Sequence, residues 1–508
     1  MTMTHPGLPL FWVVIIVTAM LAIIIWALMT KAPVSYEKKE LSLTKVPFIG
    51  GVFRYLSVQT LPLLILKVLV AFVFIVIVTA GLWGTPIVER NIATSITWNL
   101  WWAGIVVAIL FSGSAWCAIC PWDNIATCLV EHRLWRRSNS HTRLHLKVPV
   151  ILRSVWPASL LFIGFTWLEL GVGIVSSPYA TAVLAVLMVV LATTCLALYE
   201  GKAFCRYMCP VGRTVGAYSQ LSPVALRPID LDVCRSCTSL ECYHGSDLIA
   251  PCPTKLVMGR LQENTYCTAC GNCSQSCPSK NIAWQLRSPS YEVMVSARPH
   301  TDEACFMLIL FSLTVFHGFT MLDSWPDMMS AMARSFGDSG KLLISFSVGL
   351  VACIMVPSLI YGFFVLLSKK ISVDATRTNY SHFFSGFSFS VLPLAFSYHM
   401  AHNFGHFFRE RNNWSELITN PLGVGAQPLS MAEKHARHMD MMIPESVLFS
   451  LQGVFMLAGF FIAVQVVRYR GGRLFSMAGK KLLPMLTFVL LVTLFNVWML
   501  VQPMTMRM

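Results

Sequence analysis

The sequence predicts a mainly α-helical, polytopic membrane protein of about ten spans, interrupted by one polar insert rich in cysteine. Three observations carry that prediction. Of 508 residues, 56% are hydrophobic and only 12% charged, and the mean hydropathy of +0.64 lies outside the range of soluble domains. Apolar runs near the roughly 20 residues that cross a bilayer recur about ten times along the chain. One long stretch, 201–303, has no such run, and within it residues 234–277 carry eight cysteines.

Taken in order, the runs are 9–30, 62–84, 95–114, 150–173, 178–200, 304–322, 342–367, 384–407, 445–467 and 482–502. They divide the chain into an N-terminal anchor helix and loop (1–59), a four-helix membrane core (60–200), the insert (201–303) and a five-helix membrane domain (304–508). Lys31, Lys38 and Lys39 follow the first run directly with no small-residue cleavage site, so a retained anchor is expected rather than a cleaved signal. The net charge of +14 does not point to nucleic acid, because the basic residues sit in short loops between apolar runs. Loops 31–61, 115–149, 368–383 and 468–481 hold most of them, and ten spans put all four on one side. The positive-inside rule then places the N-terminus outside and the insert in the cytoplasm.

In the insert the second cysteine group, Cys267, Cys270, Cys273 and Cys277-Pro278, has the spacing C-x2-C-x2-C-x3-C-P. That spacing wraps three thiolates round one four-iron cube and sends the fourth to a neighbouring cube. The first group, Cys234, Cys237, Cys242 and Cys252-Pro253, is a stretched version whose loop must bulge. The crossover rule assigns Cys234, Cys237, Cys242 and Cys277 to one [4Fe-4S] cluster, and Cys252, Cys267, Cys270 and Cys273 to the other. A zinc module prefers two separated C-x2-C pairs, and a disulfide framework belongs outside the cytosol. The insert is therefore expected to be a bacterial-ferredoxin-like, two-cluster domain.

Two further pairs lie where apolar runs end: Cys117 and Cys120-Pro121, and Cys205 and Cys209-Pro210. Spacings of i, i+3 and i, i+4 face both sulfurs of a pair the same way on a helical turn. Brought together, the four thiolates suit a third cluster or another soft metal, with Cys128 as a replacement ligand; the plainer reading is a pair of Cys-Pro corners with unliganded thiols. Cys195, Cys305 and Cys353 lie in or beside apolar runs and read as packed thiols.

Phe204-Cys205-Arg206-Tyr207-Met208-Cys209-Pro210-Val211-Gly212, preceded by an earlier Cys-Pro corner and followed by the eight-cysteine block, resembles the membrane polyferredoxins. These are quinol-oxidising or electron-donating membrane proteins that serve periplasmic nitrate reductase and nitrous oxide reductase (NapH and NosR types), with the cytochrome oxidase assembly ferredoxin as a relative. The resemblance covers about residues 60–285. It implies that the Cys-Pro corners and the ferredoxin cysteines are the functional residues. The chain departs from the pattern in the first corner, with two residues between its cysteines where three are usual, and in the expanded first ferredoxin motif.

The five runs after residue 303 are not explained by the resemblance. Within 384–407, His399, His402 and His406 fall on one helical stripe, and His317 lies at a similar depth in an earlier run. Ionisable groups in a span usually face the bundle interior and mark function, and imidazoles at these spacings suit haem b or copper. Haem b would use His317 with His399 or His402. Copper would add Met328, Met329 and Met332, and Met439, Met441 and Met442 beside His435 and His438. Glu169, towards the outer end of the fourth run, is a candidate to take protons from a quinol; a carboxyl hydrogen-bonded to a neighbouring helix is the plainer alternative.

Two functions from different classes follow. One is a transmembrane electron carrier between a quinone pool or cytoplasmic donor and a periplasmic redox protein or respiratory complex subunit. The other is a copper-handling assembly protein that reduces cupric ions with its clusters. Nothing in the sequence resembles a phosphate loop, a nucleotide fingerprint or a nucleophile with its base.

Overall fold

The computed structural model describes residues 4–30, 40–132, 143–338, 340, 342–372, 378–409, 414–439 and 441–505, without the side chains of 406, 409, 435 and 437–439. The fold is mainly α. Among the described residues, eight helices are long and apolar enough to cross a membrane: α1 (Leu10–Met29), α3 (Leu61–Trp83), α4 (Ile92–Ser112), α7 (Pro178–Leu198), α9 (Thr301–Phe319), α10 (Leu343–Ile371), α13 (Glu445–Phe475) and α14 (Gly479–Val501). The chain is thus a multi-pass membrane protein.

The count is two short of the expected ten, and each exception has a local cause. The fourth run forms α6 (Trp156–Val172), shorter than the rest, because Gly173 at φ 83° turns the chain out of the helix. The eighth run is broken into α11 (Tyr380–Ser388) and α12 (Val391–Arg409). At the break Ser388 donates to the carbonyl of Ser385, and Ser390 to that of Phe387, so hydroxyls compete with the helical ladder.

Both elements still run from one end of the bundle to the other. Near its start α6 is tied to the base of α9, where Val155 N–H donates to Asp302 (3.0 Å), and its far turn packs on Phe346 at the start of α10. Near the start of α11 Ser381 meets Thr301 at 2.8 Å, and near the end of α12 the carbonyl of Phe408 accepts from Met442 N–H. One end of the bundle carries the cysteine-rich insert. The other gathers β1 (Thr4–His5) against β5 (Met504–Thr505), and the 84–91 loop against 416–427.

The first helix does not pack as its place in the sequence suggests. α1 lies along α13 and α14 in the C-terminal half, and α9 is the centre of that half, with 78% of its apolar window buried. α12 and α13 share the most extensive helix pair in the molecule.

The insert is built on an antiparallel sheet ordered β2-β4-β3, of β2 (Glu40–Ser42), β3 (Val224–Pro228) and β4 (Ile282–Arg287). The edge strand β2 comes from the loop after α1. The same loop supplies α2 (Gly50–Val58), whose Ser57 carbonyl accepts from Ser274 Oγ at 2.8 Å, within the second cysteine group. Under the sheet a buried ion triad fixes the chain: Arg227 and Arg287 both donate to Glu292, which also accepts from Asn264 N–H. A buried ion group holds only with further hydrogen bonds, and both carboxylate oxygens of Glu292 are engaged here.

Candidate functional site

Four π-helical turns occur among the described residues: Ser95–Trp101, Trp167–Val172, Phe204–Met208 and Glu292–Ser296. The second carries Glu169 and the third Cys205. Widened turns of this kind are uncommon and cluster at functional sites.

The eight insert cysteines fall into two electrostatic neighbourhoods. Cys234 interacts with Cys277, Cys242 and Cys237, while Cys273 interacts with Cys270, Cys267 and Cys252 and, across the two sets, with Cys242. The sets meet where Cys242 also feels Cys252. Backbone N–H groups point at most of these sulfurs: Leu256 to Cys252 (3.3 Å) and Asn281 to Cys277 (3.4 Å), with Met258, Ala269 and Asn272 serving Cys242, Cys267 and Cys270. Left-handed residues make this possible. Leu240, Lys255, Ala269 and Lys280 all have φ between 47° and 55°, a conformation costly without glycine, and each lies two or three residues beyond a cysteine. Successive amides turned inward in this way form an anion-holding concavity.

The corner cysteines form a third set. Cys117, Cys120, Cys205 and Cys209 interact through Cys209 and Cys120, and Cys117 also feels Cys267 of the insert. The pairs are not simply stacked on one helical turn. Cys120 and Cys209 leave the helix with ψ of 124° and 113° and precede the prolines that open α5 (Pro121–Glu131) and α8 (Pro210–Ser219). Proline is tolerated at the first position of a helix and not in its interior. Cys209 consequently caps α8 and accepts from Gly212 N–H at 3.2 Å.

Burial, joined by neighbouring thiols, pushes Cys117 up to about 12 and holds Cys120 and Cys205 well above the ordinary thiol range. Burial pushes Cys209 and Cys267 up to about 11. Cys237 is the opposite case, its thiol lowered by the N–H of Leu240 and the hydroxyl of Ser239.

The polar surroundings of the corner set are not legible from residue spacing. Asp123 bridges Lys202 (2.5 Å) and the Cys205 sulfur (3.6 Å). The indole nitrogens of Trp116 and Trp122, the amide nitrogen of Asn124, Arg206 Nε, and Arg213 Nε and Nη1 are buried without a hydrogen-bond partner. All six atoms are donors, and all lie within four residues of a corner cysteine. Trp101 packs between Trp116, Trp122 and Trp102, with centroids 5.7–5.9 Å apart, and Trp102 reaches His399 at 6.1 Å.

His399 and His402 find different partners. His399 Nδ1 bonds the Tyr218 hydroxyl of α8 at 3.3 Å, whereas His402 Nε2 bonds His317 Nδ1 at 3.2 Å. His317 Nε2 in turn stands 3.7 Å from Glu169 Oε1, a pairing invisible in the sequence because the two lie in separate runs. The side chains of His406, His435, His438 and Met439 lie outside the described residues. Among the described residues no three His, Cys, Asp or Glu side chains converge closely enough to share a single metal ion.

Comparison with known proteins yields one partial likeness. Over 96 residues the chain is 30% identical to "Putative electron transport protein YccM" of Escherichia coli (strain K12). The match covers 18% of this chain and 24% of that relative, so the two share about a quarter of the relative's length. No family model matches the chain, and no solved structure does.

Proposed function

We propose that this protein is a membrane-bound iron-sulfur electron-transfer protein, with two [4Fe-4S] clusters in a ferredoxin-like insert and a third on the Cys-Pro corners. The observation that carries the reading is the grouping of twelve cysteines into three neighbouring quartets lined with inward N–H donors.

The six orphaned donors at Trp116, Trp122, Asn124, Arg206 and Arg213 add support. A buried donor left unpaired costs about 1–3 kcal/mol, and a sulfide-rich, anionic group beside them would accept those bonds. The likeness to a protein named for electron transport agrees with this role.

Such clusters supply one-electron transfer. The chain's part is to hold the three groups in series: Cys242 and Cys252 join the first two, and Cys117 and Cys267 join the second to the bundle. Amide donors to sulfur stabilise the reduced, more negative state and so raise the potential. Lys67 and Lys202 lie beside Cys270 and add positive charge at the step into the membrane. The exchange we infer joins the quinone pool or a cytoplasmic donor to a redox partner at the opposite face, with electrons leaving outward. In this reading the insert faces the cytoplasm of a bacterial inner membrane.

Iron, sulfide and copper quantitation with EPR on one anaerobic preparation tests it. At four irons per cube we expect about twelve irons per chain, or about eight if the corners stay empty. Zinc in place of iron, or sulfurs bridged to one another, overturns the reading, and stoichiometric copper without iron replaces it with metal delivery.

A further inference from the structure

The side that α2 turns away from the protein is the wrong one for water. Its inner side packs on β4 and residues 272–276, with Gly50 and Ser57 buried and Phe53, which falls between them on the same side, half-buried. The opposite stripe holds Ile49, Val52, Tyr55 and Leu56, which recur every three or four residues and so share one side of the helix. Among the described residues that stripe stays exposed, Val52 at 57% and Tyr55 at 52%. A helix on a water-washed surface shows the reverse pattern, with its large apolar residues inward and its polar ones outward.

The turn before α2 extends the stripe against the preference of the backbone. Phe48 has φ 65°, a left-handed conformation natural to glycine and strained for a bulky side chain, and its ring is fully exposed. Strain of that kind costs about 1–3 kcal/mol. In water an uncovered ring would add to the loss, whereas burial in hydrocarbon contributes about 1.5–3 kcal/mol and offsets it.

The chain that follows says what covers the stripe. Only Gln59 and Thr60 separate Val58 from α3, so three peptide steps, about 10 Å at most, lead from α2 into a membrane span. Leu61, Ile65 and Leu66 in the first turns of α3 are exposed in the same way, so exposed apolar side chains continue from α2 onto a surface that lipid must cover. Lys45 and Arg54 are exposed on the same segment, where long basic side chains reach headgroup phosphates, and Tyr55 is of the amphipathic type enriched at that depth. With nine residues α2 is about 14 Å long, too short to cross the bilayer and long enough to lie in its surface.

We propose that α2 is an in-plane membrane helix, whose stripe of Ile49, Val52, Tyr55 and Leu56, extended by Phe48, is immersed at the boundary of headgroups and acyl chains on the insert's side of the bilayer. The partner is the lipid surface itself. Because the Ser57 carbonyl on the other side of α2 accepts from Ser274 Oγ at 2.8 Å, the membrane surface then bears directly on the seat of the second cysteine group. The inference needs neither iron nor an electron, so it stands or falls apart from the function proposed above.

Photo-crosslinking tests it. p-Benzoylphenylalanine is placed at Val52, Tyr55 or Phe53 of the full-length protein in nanodiscs of phosphatidylcholine and phosphatidylglycerol, and adducts are read by mass spectrometry after irradiation. Lipid adducts are expected at Val52 and Tyr55, while Phe53 on the inner side joins peptides of the insert instead. Elution identical to wild type shows that each protein is folded. Folded protein without lipid adducts at Val52 and Tyr55 overturns the proposal, as do lipid adducts equally frequent at Phe53, or a stripe that joins another polypeptide when the same experiment is run in native membranes.

Discussion

Cys277 is the residue at which the insert is most exposed to test, because its place in the chain and its electrostatic neighbours disagree. It closes the second motif, yet its sulfur belongs with Cys234, Cys237 and Cys242. Cys277→Ser is therefore expected to remove the EPR signal of the first quartet while Cys252→Ser removes that of the second, each with a loss of about four irons. The reverse assignment would break the crossover. Cys237 supplies a second residue-scale test. It is the quartet member whose thiol is lowered, by the N–H of Leu240 and the hydroxyl of Ser239, whereas burial raises Cys234, Cys242, Cys267, Cys270 and Cys273. In iron-stripped protein, mass spectrometry after brief alkylation is expected to find Cys237 modified before those five.

Glu263, beside the base of α9, gives a pH dependence. Burial and then the charge of Glu303 push its carboxyl up to about 7. For an acid raised on folding, no penalty exists below the unfolded value. Stability then falls as pH rises through the window between that value and about 7, since the unfolded chain has released a proton that the folded one retains. Glu263→Gln is expected to remove this loss, gaining on the order of 2 kcal/mol at pH 8 after allowance for partial exposure. A thermal-unfolding midpoint equally pH-dependent in the variant would exclude Glu263 as the source.

At the scale of elements, the joint between α8 and the insert depends on a close approach. A Cβ at Gly216 would lie 2.2 Å from the Thr265 carbonyl oxygen, backbone that cannot move away cheaply. Gly216→Ala is expected to push α8, and with it Cys209, off the second quartet. The readout is loss of magnetic coupling between corner and insert clusters in EPR while the insert signals persist. Retained coupling would show that the contact is dispensable.

The legibility of the chain also divides at this scale. Long apolar helices were readable because a bilayer demands uninterrupted hydropathy. The break at Phe389–Ser390 was not, because three serines in an aromatic run barely lower a windowed average. Cys-Pro spacing located the corners but misread their geometry: counting i, i+4 assumes a helix that Pro210 does not continue backwards. The donors on Trp116, Trp122 and Arg213 were unreadable for a different reason, since hydropathy scores a tryptophan by its ring and says nothing of its N–H. Glu169 and His317 are 148 residues apart, and only packing joins them.

For the whole molecule, the pairing of β1 with β5 and the contacts of the 84–91 loop with 416–427 put both described ends of the chain and that loop at one end of the bundle. An even number of crossings follows. Alkaline phosphatase joined at either end or inserted near Gly425 is expected to be active, and inserted near Leu248 in the insert to be inactive. Equal activity at Gly425 and Leu248 would contradict the alternating arrangement.

The edge strand β2 has a consequence for biosynthesis. Residues 40–42 leave the ribosome long before β4, the partner they need at 282–287, and Cys277 follows Cys234 by more than forty codons. In the proposed reading, a cluster on the first quartet can form only after translation has passed Cys277, when every helix up to Leu198 has already left the ribosome. A maturation factor would meet these thiols at the membrane surface, on a nascent chain whose upstream half is already in place.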